Sequence, residues 1–188
     1  FVPEPTFDTV QVLPNGDVYL KIDGENAGTI GQFDIYENAV TGAPLVSLNR
    51  GPNLSTTIAA AGANAIVKEY VMEVTDACDP SKTRSGNVYS TLLASGSIKL
   101  CTPRYGLTWN APTGFPNGIR QYRIYSRREN GAQELVATIS NLSTTNYDIP
   151  IFGQSVDYEF QVVAESTDGA VNISSVHEYT TPSTLRTS

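Results

Sequence analysis

Asn53-Leu54-Ser55-Thr56-Thr57 recurs letter for letter as Asn141-Leu142-Ser143-Thr144-Thr145, an offset of 88 residues (141 minus 53). The flanking pattern follows at nearly the same offset. Phe33-Asp34-Ile35-Tyr36 answers to Tyr122-Arg123-Ile124-Tyr125, and the run from Tyr70 (YVMEV) answers to that from Tyr158 (YEFQV). Upstream, Leu20 and Ile22 stand where Leu107 and Trp109 stand in the second copy. Matches in one order mark an internal duplication, and this period is too long for a solenoid repeat and right for a whole domain. The 188 residues therefore divide into two modules, 1–96 and 97–188.

Each copy resolves into short strands by alternation of apolar and polar side chains. In Tyr158-Glu159-Phe160-Gln161-Val162-Val163-Ala164, Tyr158, Phe160, Val162 and Ala164 share one face while Glu159 and Gln161 take the other. Turn formers punctuate the strands at Asn15-Gly16-Asp17, Thr41-Gly42, Asn130-Gly131 and Asp168-Gly169, a spacing that suits about seven strands per copy. No segment keeps a helical period, and the Ala-rich stretch Ile58 to Ala65, interrupted by Gly62, reads as strand and loop. The expected fold is all-β, two tandem β-sandwiches. Ala94-Ser95-Gly96-Ser97 is read as the connection between them, too short for a flexible tether, so the modules are expected to touch.

Composition narrows the functional classes. Hydrophobic residues make up 40% and charged residues 16%, which suits half-buried strands. The net charge of −7 argues against nucleic acid, whose phosphates need a basic surface to displace counterions. No apolar run approaches the roughly 20 residues of a spanning helix, so no membrane insertion is expected. Phe1-Val2-Pro3-Glu4-Pro5 has neither the basic start nor the apolar core of a signal peptide and reads as a mature end or a cut fragment.

Catalysis needs a positioned base with a nucleophile or a metal, and the inventory is thin. His177 is the one imidazole, placed in a late strand and read as structural. Glu73, Asp76 and Asp79 cluster at a strand end, and Asp76-Ala77-Cys78-Asp79-Pro80 offers Asp76 and Asp79 as two carboxylates toward calcium, against the alternative of a solvated turn. No other cofactor is expected, and the chain is read as no enzyme. Arg123, Tyr125 and Arg127 fall on the outward face of one strand, with Arg120 and Arg128 nearby. That face suits an acidic polysaccharide, or else is a solvated sheet face balancing an acidic domain. Asn53, Asn141 and Asn172 each open an N-x-S triplet, and Asp8-Thr9-Val10 matches a short O-glycan acceptor.

Trp109, Tyr122-x-Ile124-Tyr125 and Tyr158-x-Phe160-x-Val162-x-Ala164 followed by Asp168-Gly169 resemble the core signature of fibronectin type III domains. In that family the Trp and the Tyr are core residues, and the Tyr that opens the penultimate strand closes a corner. Pro3-x-Pro5, Asn15-Gly16-Asp17-Val18-x-Leu20, Asp76-Ala77-Cys78 and Cys101 ahead of Leu107-x-Trp109-Asn110, taken in that order, are similar to the paired modules upstream of the sorting domain in large Bacteroidetes surface proteins. These include gliding-motility adhesins exported by the type IX secretion system. The chain departs from the pattern in carrying Ile22 where its second copy carries Trp109. The resemblance implies a non-catalytic adhesion or spacer module at the cell surface, associated with the outer membrane through a larger protein, with a polysaccharide or protein partner. It also implies a bridge between Cys78 and Cys101, which would close a loop of 23 positions (101 minus 78) and add about 3 kcal/mol. Two free thiols are the alternative. A second functional reading is an accessory carbohydrate-binding or linker module of a secreted polysaccharide-degrading enzyme.

Overall fold

The computed structural model describes residues 2–23, 29–51, 54–99 and 102–183. The first copy contributes β1 (Phe7–Val12), β2 (Val18–Ile22), β3 (Ile30–Glu37), β4 (Val46–Asn49), β5 (Ser55–Ile58), β6 (Glu69–Asp76) and β7 (Thr83–Ser90). The second contributes β8 (Ala94–Lys99), β9 (Arg104–Trp109), β10 (Ile119–Arg128), β11 (Glu134–Ile139), β12 (Asn146–Pro150), β13 (Asp157–Ser166), β14 (Val171–Ile173) and β15 (His177–Thr180). There is no α-helix among the described residues.

The first copy layers β1-β2-β5 against β4-β3-β6-β7, and the second layers β8-β9-β12 against β11-β10-β13, with β14 and β15 forming one interrupted last strand beside β13. The all-β pair of sandwiches expected from the alternation is the fold observed. Inward positions predicted by alternation are the core: Leu20, Phe33, Ile35, Tyr70, Met72 and Val74 in the first copy, and Leu107, Tyr122, Ile124, Phe160, Val162 and Ala164 in the second. Fully burying each large apolar side chain stabilises by about 1.5–3 kcal/mol. Trp109 packs edge-on to Tyr122 at 5.4 Å, inside the second core. Tyr158 closes the expected corner: its hydroxyl accepts from the Phe152 N–H and donates to the Phe152 carbonyl, both at 2.9 Å.

The identical pentapeptides do not occupy equivalent places. Thr56 pairs with Leu20, but Leu107, the counterpart of Leu20, pairs with Tyr147. Structural equivalence in this strand therefore runs at 91 residues (147 minus 56), three beyond the letter match. Ser55–Thr57 are strand, whereas Leu142 and Ser143 form the turn ahead of β12. Leu54 is buried and Leu142 exposed accordingly.

The connection also differs from expectation. Ala94 to Ser97 are not a linker but part of β8, paired with β9 from Ala94↔Trp109 to Lys99↔Arg104. A boundary at 96/97 cuts that strand, whose residues are committed to the second sandwich by backbone pairing. The crossing is made by Thr91-Leu92-Leu93.

Candidate functional site

Two places concentrate polar side chains in fixed geometry: the junction between the sandwiches and the outer face of the second one. At the junction, β14 lies parallel to β1, with Thr9↔Val171, Val10↔Asn172 and Gln11↔Ile173 in register. The four-stranded layer of the second copy thus runs without a break into the three-stranded layer of the first, in the order β11-β10-β13-β14-β1-β2-β5.

Asn172 locks this seam. Its side chain is fully buried; Oδ1 accepts from the Leu92 N–H at 3.0 Å and Nδ2 donates to the Ser90 carbonyl at 2.7 Å. Asn110 holds the same crossing from the other side, accepting from Leu93 N–H at 2.7 Å and donating to the Thr91 carbonyl at 3.1 Å. Thr91 exchanges two bonds with Lys68: its N–H reaches the Lys68 carbonyl at 2.7 Å and its hydroxyl accepts from the Lys68 N–H at 2.8 Å. A crossing whose backbone groups are bonded this completely has no conformational freedom to spare.

The second copy also completes the first core. Phe115, in the loop after β9, packs edge-on to Tyr89 at 5.6 Å, and Tyr89 packs edge-on to Phe7 at 5.0 Å. Phe7 lies directly opposite Ile22, so the aromatic ring that the first copy lacks at Ile22 is supplied nearby from its neighbour. Gly114 permits the approach. Its φ is +104°, and a Cβ there would sit 2.6 Å from Tyr89 Cα. Burial of Tyr89 pushes its phenol up to about 12, with Asp168 adding to the rise.

On the outer face of the second sandwich, strand register sets side chains in rows. Leu135, Tyr125 and Gln161 stand abreast on β11, β10 and β13; the next row places Arg127 beside Glu159, with Glu178 beyond on β15. The arginines expected to form a basic face are paired across the sheet. Arg123 meets Glu165 at 2.9 Å, Arg120 meets the same carboxylate, and Arg127 meets Glu159. The basic stripe is thus partly balanced by β13, whose outward Glu165 and Glu159 stand in step with the three arginines of β10.

The remaining candidates sit in structural roles. His177 Nε2 lies 2.5 Å from the Ala94 carbonyl, tying β15 to β8. Asp76 accepts from the N–H groups of Cys78 and Asp79 at 2.8 and 3.1 Å, closing a turn. Asp79 accepts from the Ser81 hydroxyl at 2.6 Å and N–H at 3.2 Å and pairs with Lys82 at 3.2 Å, and these bonds, led by the hydroxyl's, hold its carboxyl below the usual range. Among the described residues no three metal-ligating side chains lie together.

Cys78 is exposed and free, while Cys101 lies outside the described residues.

Asn172 is spent on the junction and offers no amide to a glycan; Asn141 is exposed at a turn, and Asn53 is outside the described residues. Thr9 sits in mid-sheet, paired on both sides to Lys21 and Val171. From sequence, Asn172 is named only as the start of an N-x-S triplet and Asn110 only within the tandem motif, and Phe115 is not singled out. The only sequence signal for them is a polar residue, Asn172, at a position where strand alternation makes it point inward.

No family model matches the sequence, and no curated protein matches it. Among solved structures the chain is similar to the pectate lyase PelI of Erwinia chrysanthemi, determined with tetragalacturonic acid, at 16% identity and a TM-score of 0.40. That alignment covers 47% of this chain and 28% of the lyase. It is also similar to the sixth fibronectin type III domain of human fibronectin type III domain containing protein 3, at 20% identity and a TM-score of 0.41, covering 50% of this chain and 87% of that domain. The twitchin kinase region of C. elegans aligns at 20% identity and a TM-score of 0.35, covering 45% of this chain and 16% of that one. The chain spans about a quarter of the length of the pectate lyases it matches.

Proposed function

We propose that this chain is a non-catalytic spacer and presentation unit of a larger exported surface protein, in which two sandwiches act as one rigid body. The observation that supports it above others is the seam: a sheet continued through β14 and β1, fastened by a fully buried Asn172. Flexible tethers between modules let each reorient independently; a spacer that sets the distance or direction of a binding region needs the opposite. The first described residues pack beside β7, with Arg84 bonded to the Val2 carbonyl at 3.3 Å. At the other end Thr181 is held at the corner before β13, its N–H bonding the Val156 carbonyl at 2.9 Å.

The assignment to an extracellular, outer-membrane-associated adhesin of the gliding type rests on the resemblance of the tandem. Its partner on this reading is a polysaccharide or protein at the surface, met by shape and hydrogen bonding without chemistry. Backbone ¹⁵N relaxation tests the rigid unit. Amides of β2–β6 and of β9–β13 are expected to share one rotational correlation time in the full chain and to separate in Asn172→Ala combined with Gly114→Ala. Two distinct times in the unmodified chain would exclude a rigid spacer.

A further inference from the structure

A groove of about 430 Å³ crosses the outer face of the second sandwich, lined by Arg127, Gln133, Glu159, Gln161 and Val176, with Gly131 and Ala132 forming one wall. The geometry points to a binding site for a neutral oligosaccharide that runs along this groove onto Tyr125, which stands beside the lining residue Gln161 and serves as the stacking platform. The site is independent of the spacer role and uses residues that take no part in the seam.

Three observations converge. First, the polar side chains are held before any ligand arrives. Gln161 donates to the Ser174 carbonyl at 3.1 Å and accepts from Gln133 Nε2 at 3.0 Å, and Arg127 is clamped to Glu159. Side chains already fixed lose little rotamer freedom on binding, which is where weak polar sites usually lose affinity. Second, the groove mixes amide, guanidinium and carboxylate groups. Sugar hydroxyls both donate and accept, so they pair with such a set, whereas an ion of either sign meets its own charge somewhere in the row. Third, strand register puts half-buried Tyr125 between Gln161 and Leu135, the latter 53% exposed. An aromatic ring beside an exposed aliphatic side chain on a polar sheet face supplies the apolar footing that a pyranose C–H face stacks on.

The charge balance sets the ligand class. Arg123 and Arg127, the cations that an acidic polysaccharide would seek, are each matched by Glu165 or Glu159, and Glu178 adds a further carboxylate beside Glu159. On the β15 side of the groove an acidic chain would meet two carboxylates, Glu159 and Glu178, sharing one cation, Arg127, and a neutral chain would meet no such repulsion.

Titrations of the ¹⁵N-labelled full chain with cellohexaose, xylohexaose and mannohexaose, and with hexagalacturonate as the acidic counterpart, test the site. At least one neutral hexasaccharide is expected to give saturable shifts at Arg127, Gln133 and Gln161 with a Kd below about 5 mM. Tyr125→Ala and Gln133→Ala should each weaken that binding by about fivefold or more, and hexagalacturonate should bind about fivefold more weakly than the best neutral probe. Gln133 is exposed in a loop, so its variant stays informative even where Tyr125→Ala lowers stability. Absence of saturable shifts with all three neutral probes, shifts confined to another face, unchanged binding in both variants, or tighter binding of hexagalacturonate would each overturn the assignment.

Discussion

Replacing Asn172 by Ala removes one side chain and strands two backbone groups. The amide is fully buried, and it satisfies the Leu92 N–H and the Ser90 carbonyl at 3.0 and 2.7 Å. Water cannot take its place without opening the β1–β14 seam. An unpaired buried donor or acceptor costs about 1–3 kcal/mol, so two give about 2–6 kcal/mol. For a chain of this size each kcal/mol lowers the melting midpoint by about 2–4 °C, and the lower bound alone predicts a drop of about 4–8 °C. Calorimetry of the unmodified chain should show one cooperative transition, because neither sandwich can unfold without exposing Phe115 or breaking the seam. In Asn172→Ala the transition should broaden or split as the modules uncouple. Asn172→Asp should be worse still: its carboxylate can accept from Leu92 N–H but faces the Ser90 carbonyl with a buried charge. A single transition within about 1 °C of the parent in Asn172→Ala would refute the claim that the seam couples the modules.

Three further outcomes follow from the same geometry. Tyr158→Phe keeps the ring but loses both bonds to Phe152, and urea unfolding should record a loss of about 1–2 kcal/mol; a change under about 0.3 kcal/mol would mean the corner is packing alone. Burial raises the phenols of Tyr70 and Tyr89 to about 12. A folded value above the ordinary one of 10.0 means the contribution is complete below pH 10 and is lost as pH climbs toward 12. Stability followed by urea midpoint should therefore fall over that interval, and Tyr89→Phe should flatten the fall; an unchanged slope would contradict the buried placement. Cys78, exposed and free, should react with a thiol reagent in the native chain under non-reducing conditions; native protein with no reactive thiol, regaining two after reduction, would instead establish a bridge to Cys101.

Much of the fold was legible because its determinants are local. Period-two alternation in Tyr158 to Ala164 names the buried face without knowledge of any partner strand, and Phe160, Val162 and Ala164 are buried as it requires. Gly16 and Gly169, read as turn residues, take the left-handed conformations that such turns need. The outer-face reading was half right: alternation correctly turned Arg123, Tyr125 and Arg127 outward, yet nothing local announced that Glu159 and Glu165, more than thirty positions away, would stand beside them.

The duplication read from Asn53-Leu54-Ser55-Thr56-Thr57 and its echo shows where that local information ends. By itself the sequence determined that two all-β modules of like pattern follow one another, and which side chains face each core, because alternation and turn chemistry are properties of a few adjacent residues. Only the tertiary structure decided that the echo is three residues out of register. It alone made Ala94–Ser97 a strand, placed Phe115 in its neighbour's core and buried Asn172 as the fastening of the seam. Those outcomes depend on register between strands distant in sequence and on which edge finds which, and such pairings exist only once the chain has closed on itself.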